Sequence, residues 1–384
     1  MDDFAPDTRS ASMTLDGIPD EADTRTDTAE TRAERDFRRA NPRAMRRIND
    51  VPLIDDVIVF PGPVFDRFAF MQRLLLRMEA SGAVGYSWAL VQNGRLIDAG
   101  GVGDARTPAE TPPREMDERT RMVSASLAKP ICAVAVMKLV EDGVLNLGEP
   151  AYPHIAGTFP GGHSSLDAVT IEHLLTHTSG YDGPGRLSQF PGTLSNSLTG
   201  TTGTSQKYEN WNYWFLALVI EAVTGRPYAD FARDRVLLPM SINNMTREVD
   251  DEAPCLYYAL DPSTGGTTWG DFTATAIGAY GWFGNAIHYA KFLAHFRNDT
   301  VLSGQTRQQM LNWHRSYFGF RLWQNGARGK YYGHGGDFGR GGGRDFHGGM
   351  MGFPDGIDAV LLTNSPHAPD PEDVLIDAYH AAYS

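Results

Sequence analysis

Strand-like patterns occupy both ends of this chain, and helix-like patterns fill its middle. Near the N-terminal end, residues 86–92 and 95–99 are two apolar runs joined by Asn93-Gly94, the strongest short signal for a tight hairpin. Near the C-terminal end, residues 350–353 and 357–363 flank Pro354-Asp355-Gly356, and 12 of the 41 glycines crowd into residues 326–352. Between these ends, helical spacing or apolar runs with glycine stops predict helices over 127–140, 171–175, 211–223 and 286–296. Further helices are expected over 66–80 and 371–383, and residues 181–205, rich in Gly, Ser, Thr and Pro, read as a long loop. The expected fold class is α+β, an α/β sandwich. Its antiparallel sheet is built from both chain ends and flanked by helices, with an all-helical region over about 140–300 beside it.

Residues 1–50 stand apart. Positions 2–30 carry nine acids against two arginines, and positions 31–50 carry seven arginines against three acids, with few apolar residues in either. Such a segment buries too little to offset its ordering entropy, so a flexible charged extension is expected there and a single folded domain over 51–384. The chain has a net charge of −13, and the extension accounts for only −3 of it. An acidic folded part argues against nucleic acid or an anionic membrane as partner. Two cysteines, Cys132 and Cys255, exclude a disulfide framework and a cysteine-based zinc site. No apolar run approaches the ~18 residues of a membrane span, and no signal peptide is evident, so the cytoplasm is the expected compartment.

For chemistry, the search begins with a nucleophile. No G-x-S-x-G occurs, and the glycines at 100, 101 and 103 do not close a dinucleotide loop. One S-x-x-K does occur, Ser126-Leu127-Ala128-Lys129, at the start of the apolar helix. Residues i and i+3 share a helix face, and burial lowers a lysine pKa, so a neutral amine would be available to take the serine proton. The bland reading, a capping serine and a lysine that reaches to water, fits those four residues equally well. Two further groups follow in sequence: Tyr208-Glu209-Asn210, which ends the polar loop, and His334-Gly335-Gly336, where glycines permit close approach of a substrate. His173 and His177 have the i, i+4 spacing of zinc ligands, but Leu174 stands where H-E-x-x-H needs its glutamate, so no metal is expected. Tyr181, Trp269 and Trp282, on glycine-rich segments, are candidates for a pocket wall.

Taken in this order, Ser126-Leu127-Ala128-Lys129, Leu174-Leu175-Thr176-His177-Thr178-Ser179-Gly180, Tyr208-Glu209-Asn210 and His334-Gly335-Gly336 resemble the serine β-lactamase and penicillin-binding-protein superfamily. They are most similar to its class C β-lactamase-like esterase branch, from about residue 66 to the C-terminus. The resemblance implies a β-lactamase/transpeptidase-like fold and no cofactor. It implies Ser126 as the acylated nucleophile, with Lys129 and Tyr208 sharing the acid and base work and Asn210 positioning the lysine or the acyl amide. It further implies an oxyanion hole from the backbone N–H groups of Ser126 and Asp337, and a His334 that supports the Tyr208 hydroxyl. Where true class C β-lactamases carry a lysine, this chain has His334, which points towards an esterase, amidase or transacylase. The expected partners are a small-molecule acyl donor and water or an amine or alcohol acceptor. A true β-lactamase, a D,D-peptidase or D-aminopeptidase, and a non-catalytic binding homologue remain as alternatives.

Overall fold

The computed structural model describes residues 51–54, 64–183, 187–249, 251–273, 275–312, 317–340, 343–366 and 370–383. The charged 1–50 segment lies outside the described residues. The strands, in chain order, are β1 (Val51–Pro52), β2 (Gly85–Gln92), β3 (Arg95–Arg106), β4 (Arg114–Glu115), β5 (Met122–Val123), β6 (Phe283–Gly284), β7 (Tyr317–Phe318), β8 (Phe320–Gly326), β9 (Gly329–Arg340), β10 (Arg344–Gly352) and β11 (Ile357–Thr363). The helices that matter for the site are α1 (Arg67–Ser81), α2 (Ala128–Glu141), α3 (Ile171–Leu175), α4 (Asn210–Thr224), α5 (Ala286–Arg297) and α6 (Pro371–Ala381).

Asn93 and Gly94 have φ values of 48° and 70°, the pair of left-handed residues that a two-residue hairpin requires. They close β2 onto β3 with Gln92 opposite Arg95. The main sheet has the order β1-β3-β2-β11-β10-β9-β8-β7, with β4 on β3, and every pairing is antiparallel. Strands from the two chain ends meet where β2 pairs with β11, as the α+β reading requires.

Both faces of the central strands are buried. Along β11, Ile357, Ala359 and Leu361 join one apolar core while Val360 and Leu362 join the other, the period of two that a strand imposes. The first core is covered by α1 and α6, which pack on each other through Phe70, Leu74, Val374 and Leu375. The second is continuous with the helical region and holds α5 against β2 and β11. At its centre lies α2, buried continuously from Ala128 to Met137 and packed on α4.

Two local expectations change. The 181–205 segment contains helical turns at Leu187–Gln189 and Phe190–Thr193, because Phe190 is drawn into the core against Trp211, 5.4 Å between ring centroids. Ser126 does not open the long helix directly. It sits in a 3-10 turn, Ala125–Leu127, that precedes α2.

Helix α5 is tied to the sheet by a buried ion pair. Arg297 donates from Nη2 to Asp358 Oδ1 at 2.6 Å and from Nε to both carboxylate oxygens at 3.2 Å. Its Nη2 also donates to the Ile357 carbonyl at 3.1 Å. Both side chains are almost fully removed from solvent. Breaking such a pair leaves an uncompensated buried charge, whereas replacing both partners by apolar groups does not. Asp358→Ala should therefore lower the unfolding free energy by about 3–5 kcal/mol in urea titrations, and Arg297→Met with Asp358→Leu should recover most of it.

Candidate active site

Ser124, Ala125 and Ser126 form a turn that the fold holds under strain. Ala125 has a φ of 43°, the left-handed region that costs an L-residue roughly 1–2 kcal/mol. The turn is held from outside. Ser124 Oγ accepts from the N–H groups of Gly281 and Trp282, both at 3.0 Å, and Ser124 N–H donates to the Trp282 carbonyl at 2.6 Å. This clamp fixes residues 279–282 beside the start of α2.

Lys129 is the centre of the site. Its side chain is fully buried. Nζ lies 3.0 Å from Ser126 Oγ, 2.7 Å from Asn210 Oδ1 and 3.0 Å from the Ala279 carbonyl. Asn210 Oδ1 and the Ala279 carbonyl can only accept, whereas the Ser126 hydroxyl can donate. A neutral amine has two N–H donors and one lone pair, so it satisfies all three contacts with the lone pair turned to Ser126. Burial pushes the Lys129 pKa well below its ordinary value, against a small opposing effect of Cys132, and so favours that neutral form. The Tyr208 ring lies 4.7 Å from Nζ, where its face would stabilise a proton once Lys129 has taken one.

Tyr208 is held in place by His177. The backbone N–H of Lys207 donates to the His177 carbonyl at 2.8 Å, and that of Glu209 to His177 Nδ1 at 3.2 Å. Asn212 Nδ2 donates to the same Nδ1 at 3.0 Å, and the His177 and Tyr208 rings are 4.5 Å apart. An Nδ1 that accepts from two N–H groups is unprotonated, and burial keeps the imidazole neutral. The Tyr208 hydroxyl interacts with Ser126. Burial raises its pKa; Ser126 opposes this, while Tyr317, Asp337 and Glu372 reinforce it. Because 39% of the residue is accessible, solvent moderates these effects.

Strand β9 forms the facing wall. Its pairing with β8 ends at Gly333, and the continuing edge runs past the Ser126 turn. A Cβ on Gly336 would lie 2.8 Å from the Ser124 carbonyl oxygen and 3.2 Å from Ser126 N, so only glycine allows this approach. Asp337 is the next residue, with its side chain exposed. On Gly335 a Cβ would collide with the Glu372 carboxylate at the start of α6. His334 is buried, and its Nδ1 faces the Gly335 carbonyl at 2.5 Å. A carbonyl only accepts, so Nδ1 carries the proton and Nε2 presents a lone pair. Burial, with the nearby Lys129, pushes the His334 pKa down to about 3, so the ring is neutral at pH 7. The expected support of the Tyr208 hydroxyl by His334 is not formed. The two ring centroids are 6.0 Å apart, and His334 Nε2 has no hydrogen-bond partner among the described residues.

The residues singled out from sequence thus converge, with exceptions. Ser126, Lys129, Tyr208, Asn210, His334, Gly335, Gly336 and Asp337 share one locus. Trp269 stacks on Phe338 of β9, 4.2 Å between centroids. Trp282 contributes its backbone to the Ser124 clamp, but its side chain is 3% exposed and belongs to the core. Tyr181 is no wall residue either. It is 4% exposed, stacks on Trp211 at 4.1 Å, and donates its hydroxyl to the Thr193 carbonyl. His173 is occupied as a helix cap, its Nδ1 accepting from Thr170 N–H at 3.2 Å. No cluster of metal-ligating side chains occurs among the described residues, nor is any described helix long and apolar enough to cross a membrane.

Sequence reading missed Ser124, the Ala279 carbonyl, Tyr317 and Glu372. Tyr317 packs among His177, Tyr208 and His334, with centroids 5.4, 5.6 and 5.9 Å away. Glu372 is 8% exposed. Its burial raises the carboxyl pKa to about 7. The glycines at 335 and 349, cross-strand partners against which residues 371 and 372 pack, were its only sequence trace.

The Beta-lactamase family model matches residues 72–383. Protein flp of Staphylococcus aureus is 26% identical over 176 residues, which are 42% of this chain and 34% of that protein. The chain spans about a third of the length of the curated relatives it matches. The octameric penicillin-binding protein homologue from Pyrococcus abyssi superposes with a TM-score of 0.65 at 22% identity, over 80% of this chain and 75% of that one. The D-amino acid amidase from Ochrobactrum anthropi SV3 gives 0.65 at 20% identity, over 82% and 97%. These two likenesses concern the fold, whereas the family match takes in the turn of Ser126, the Tyr208 segment and strand β9 together. On that match the chain belongs to the beta-lactamase family, and with it to the serine β-lactamase and penicillin-binding-protein superfamily of hydrolases.

Proposed function

We propose that this protein is a serine acyl-enzyme catalyst that acts on small-molecule esters or amides. It would release the acyl group to water or pass it to an amine or alcohol. The observation that carries this reading is the environment of Lys129 Nζ, whose two pure acceptors leave its lone pair for the Ser126 hydroxyl. In the first half-reaction Lys129 takes the Ser126 proton as Oγ bonds to the substrate carbonyl carbon. The carbonyl oxygen becomes an oxyanion, held by the backbone N–H groups of Ser126 and Asp337. Collapse breaks the bond to the leaving group, which receives a proton from Tyr208, and Tyr208 is reprotonated by Lys129. In the second half-reaction the same groups take a proton from water or another acceptor, which attacks the acyl carbon and frees Ser126.

A neutral His334 bears on substrate choice. It offers no fixed positive charge for the carboxylate of a β-lactam, which favours uncharged esters and amides. A second reading, D-selective amide hydrolysis, is supported by structural neighbours described as a D-amino acid amidase and a D-stereospecific amidohydrolase.

Four assays test the proposal. Incubated with p-nitrophenyl acetate, D-alanine amide and a chromogenic cephalosporin, the protein should turn over the ester or the amide and leave the cephalosporin essentially intact. Turnover that survives in Ser126→Ala would refute it. Lys129→Met should lower kcat by about 10²–10⁴, the usual worth of a positioned base. The lowered pKa of Lys129 also fixes the sign of the pH dependence. Protonation removes the base, so kcat/KM should fall as pH drops through a midpoint well below that of an ordinary lysine. Finally, Gly336→Ala should cost at least about tenfold in kcat/KM, because its Cβ meets backbone atoms of the Ser126 turn that cannot swing aside. Near-wild-type activity in that variant would show that the edge of β9 is not part of the site.

A further inference from the structure

Side chains alternate along β9, so its residues fall on two faces. Gly336 faces the Ser126 turn, whereas Gly335 and Asp337 face α6. Their cross-strand partners on β10, Gly349 and His347, face the same way. Gly335 and Gly349 together make a notch for the first turn of α6. A Cβ on Gly349 would lie 2.9 Å from Glu372 N and 3.0 Å from Pro371 Cβ, and one on Gly335 would collide with the Glu372 carboxyl. Glu372 is therefore wedged behind the strand edge whose other face meets the nucleophile.

The surroundings of this carboxyl are poor in positive charge. Arg321 of β8 brings Nη1 to 4.0 Å from Oε1, beyond hydrogen-bond reach, and its side chain is 47% exposed. Asp370, at the start of α6, and Asp337, on β9, add negative charge nearby. The His347 ring of β10 is engaged with other acids: Nδ1 lies 2.7 Å from Asp337 Oδ1, and Asp345 and Asp370 also act on it. On the cleft side His334 is neutral, and the hydroxyls of Tyr208 and Tyr317 sense Glu372. Burial is the largest influence on Glu372 itself. With Asp370 and Asp337 it outweighs Arg321 and the residue's own backbone N–H, and the carboxyl keeps its proton to about pH 7.

We propose that Glu372 is a positioning residue of the reaction: its uncharged carboxyl braces the edge of residues 335–337 against the Ser126 turn, and its ionisation slows acyl transfer. The proposal rests on the acyl-enzyme reading above. In that reading the Asp337 N–H receives the oxyanion and Tyr208 gives a proton to the leaving group. An anion at Glu372 repels the oxyanion across the strand edge and makes Tyr208 hold its proton more firmly. Both effects lower the rate. Glu372 touches no reacting atom; it acts through the backbone of residues 335–337 and through Tyr208. Lys129 thus sets the acid limb of the pH profile, and Glu372 sets an alkaline limb.

The test follows kcat/KM for p-nitrophenyl acetate on the full chain from about pH 5 to about pH 9.5. The wild type should rise along the Lys129 limb and then fall about five- to tenfold as Glu372 ionises, the effect of one partly screened charge. Glu372→Gln, an uncharged group of the same shape, should lose that fall and keep the Lys129 limb, so that at pH 9 it exceeds the wild type about five- to tenfold. Asp370→Asn leaves the carboxyl in place and removes a neighbouring acid, so the midpoint of the fall should move to lower pH; this variant decides the matter if Glu372→Gln does not fold. A merely structural role would lower kcat/KM by the same factor at every pH, and that result overturns the proposal. So does a wild type without an alkaline fall, a fall of unchanged size in Glu372→Gln, or an unmoved midpoint in Asp370→Asn. Failure of the serine mechanism is read separately, since turnover would then persist in Ser126→Ala.

Discussion

The site is organised around a single amine kept out of water. Lys129 projects from α2, which is buried without a break from Ala128 to Met137, and its three partners come from three separate stretches of chain: the turn at 126, the start of α4 at 210 and the carbonyl of residue 279. No local segment could assemble that set. The helical region brings Asn210 to the lysine, and the Ser124 clamp brings Ala279. In exchange the amine satisfies two acceptors that would otherwise be buried without donors. The cost of holding a lysine in an apolar interior is met by keeping it neutral, and neutrality is the property a base requires.

The remaining groups preserve that condition. His177 and His334 approach the lysine, yet both imidazoles are uncharged, so neither competes for the proton nor repels it when it arrives. The Tyr208 ring supplies a soft attraction for the protonated amine, and its hydroxyl reaches Ser126. On the other side the edge of β9 is cleared of side chains at Gly335 and Gly336, one to admit Glu372 and the other to admit the strained turn. The strain at Ala125 and the glycine edge are thus two halves of one fit.

Much of this was legible in the sequence where a local rule applies. The Asn93-Gly94 turn, the α1 helix with its apolar positions at 71, 74, 75 and 78, and the boundaries of α3 and α4 follow from turn chemistry and periodicity, although Phe70 is buried where the spacing pointed to Phe68. The site motifs were visible because each is a short local cluster, and their common locus rested on resemblance. What escaped depends on contacts between distant residues. Tyr317 and Glu372 lie in segments with no motif, and their places follow from how β7 and α6 dock on the sheet. Tyr181 and Trp282 were misread because glycine-rich surroundings suggested a surface, whereas stacking on Trp211 and the pinned 279–282 segment draw both rings into the core.

The central claim is that Lys129 is a neutral amine in the resting protein, and it can be measured directly. The chain has only five lysines, so a carbon-13 label at every lysine ε-carbon gives five NMR signals, and Lys129→Arg identifies the one at the site. Titrated against pH, that signal should have the shift of an uncharged amine at pH 8 and change to that of an ammonium only at lower pH. Lys207, whose ion pairs with Asp182 and Glu209 raise its pKa, should remain an ammonium across that range. A Lys129 signal that is still that of an ammonium at pH 8 would contradict the account.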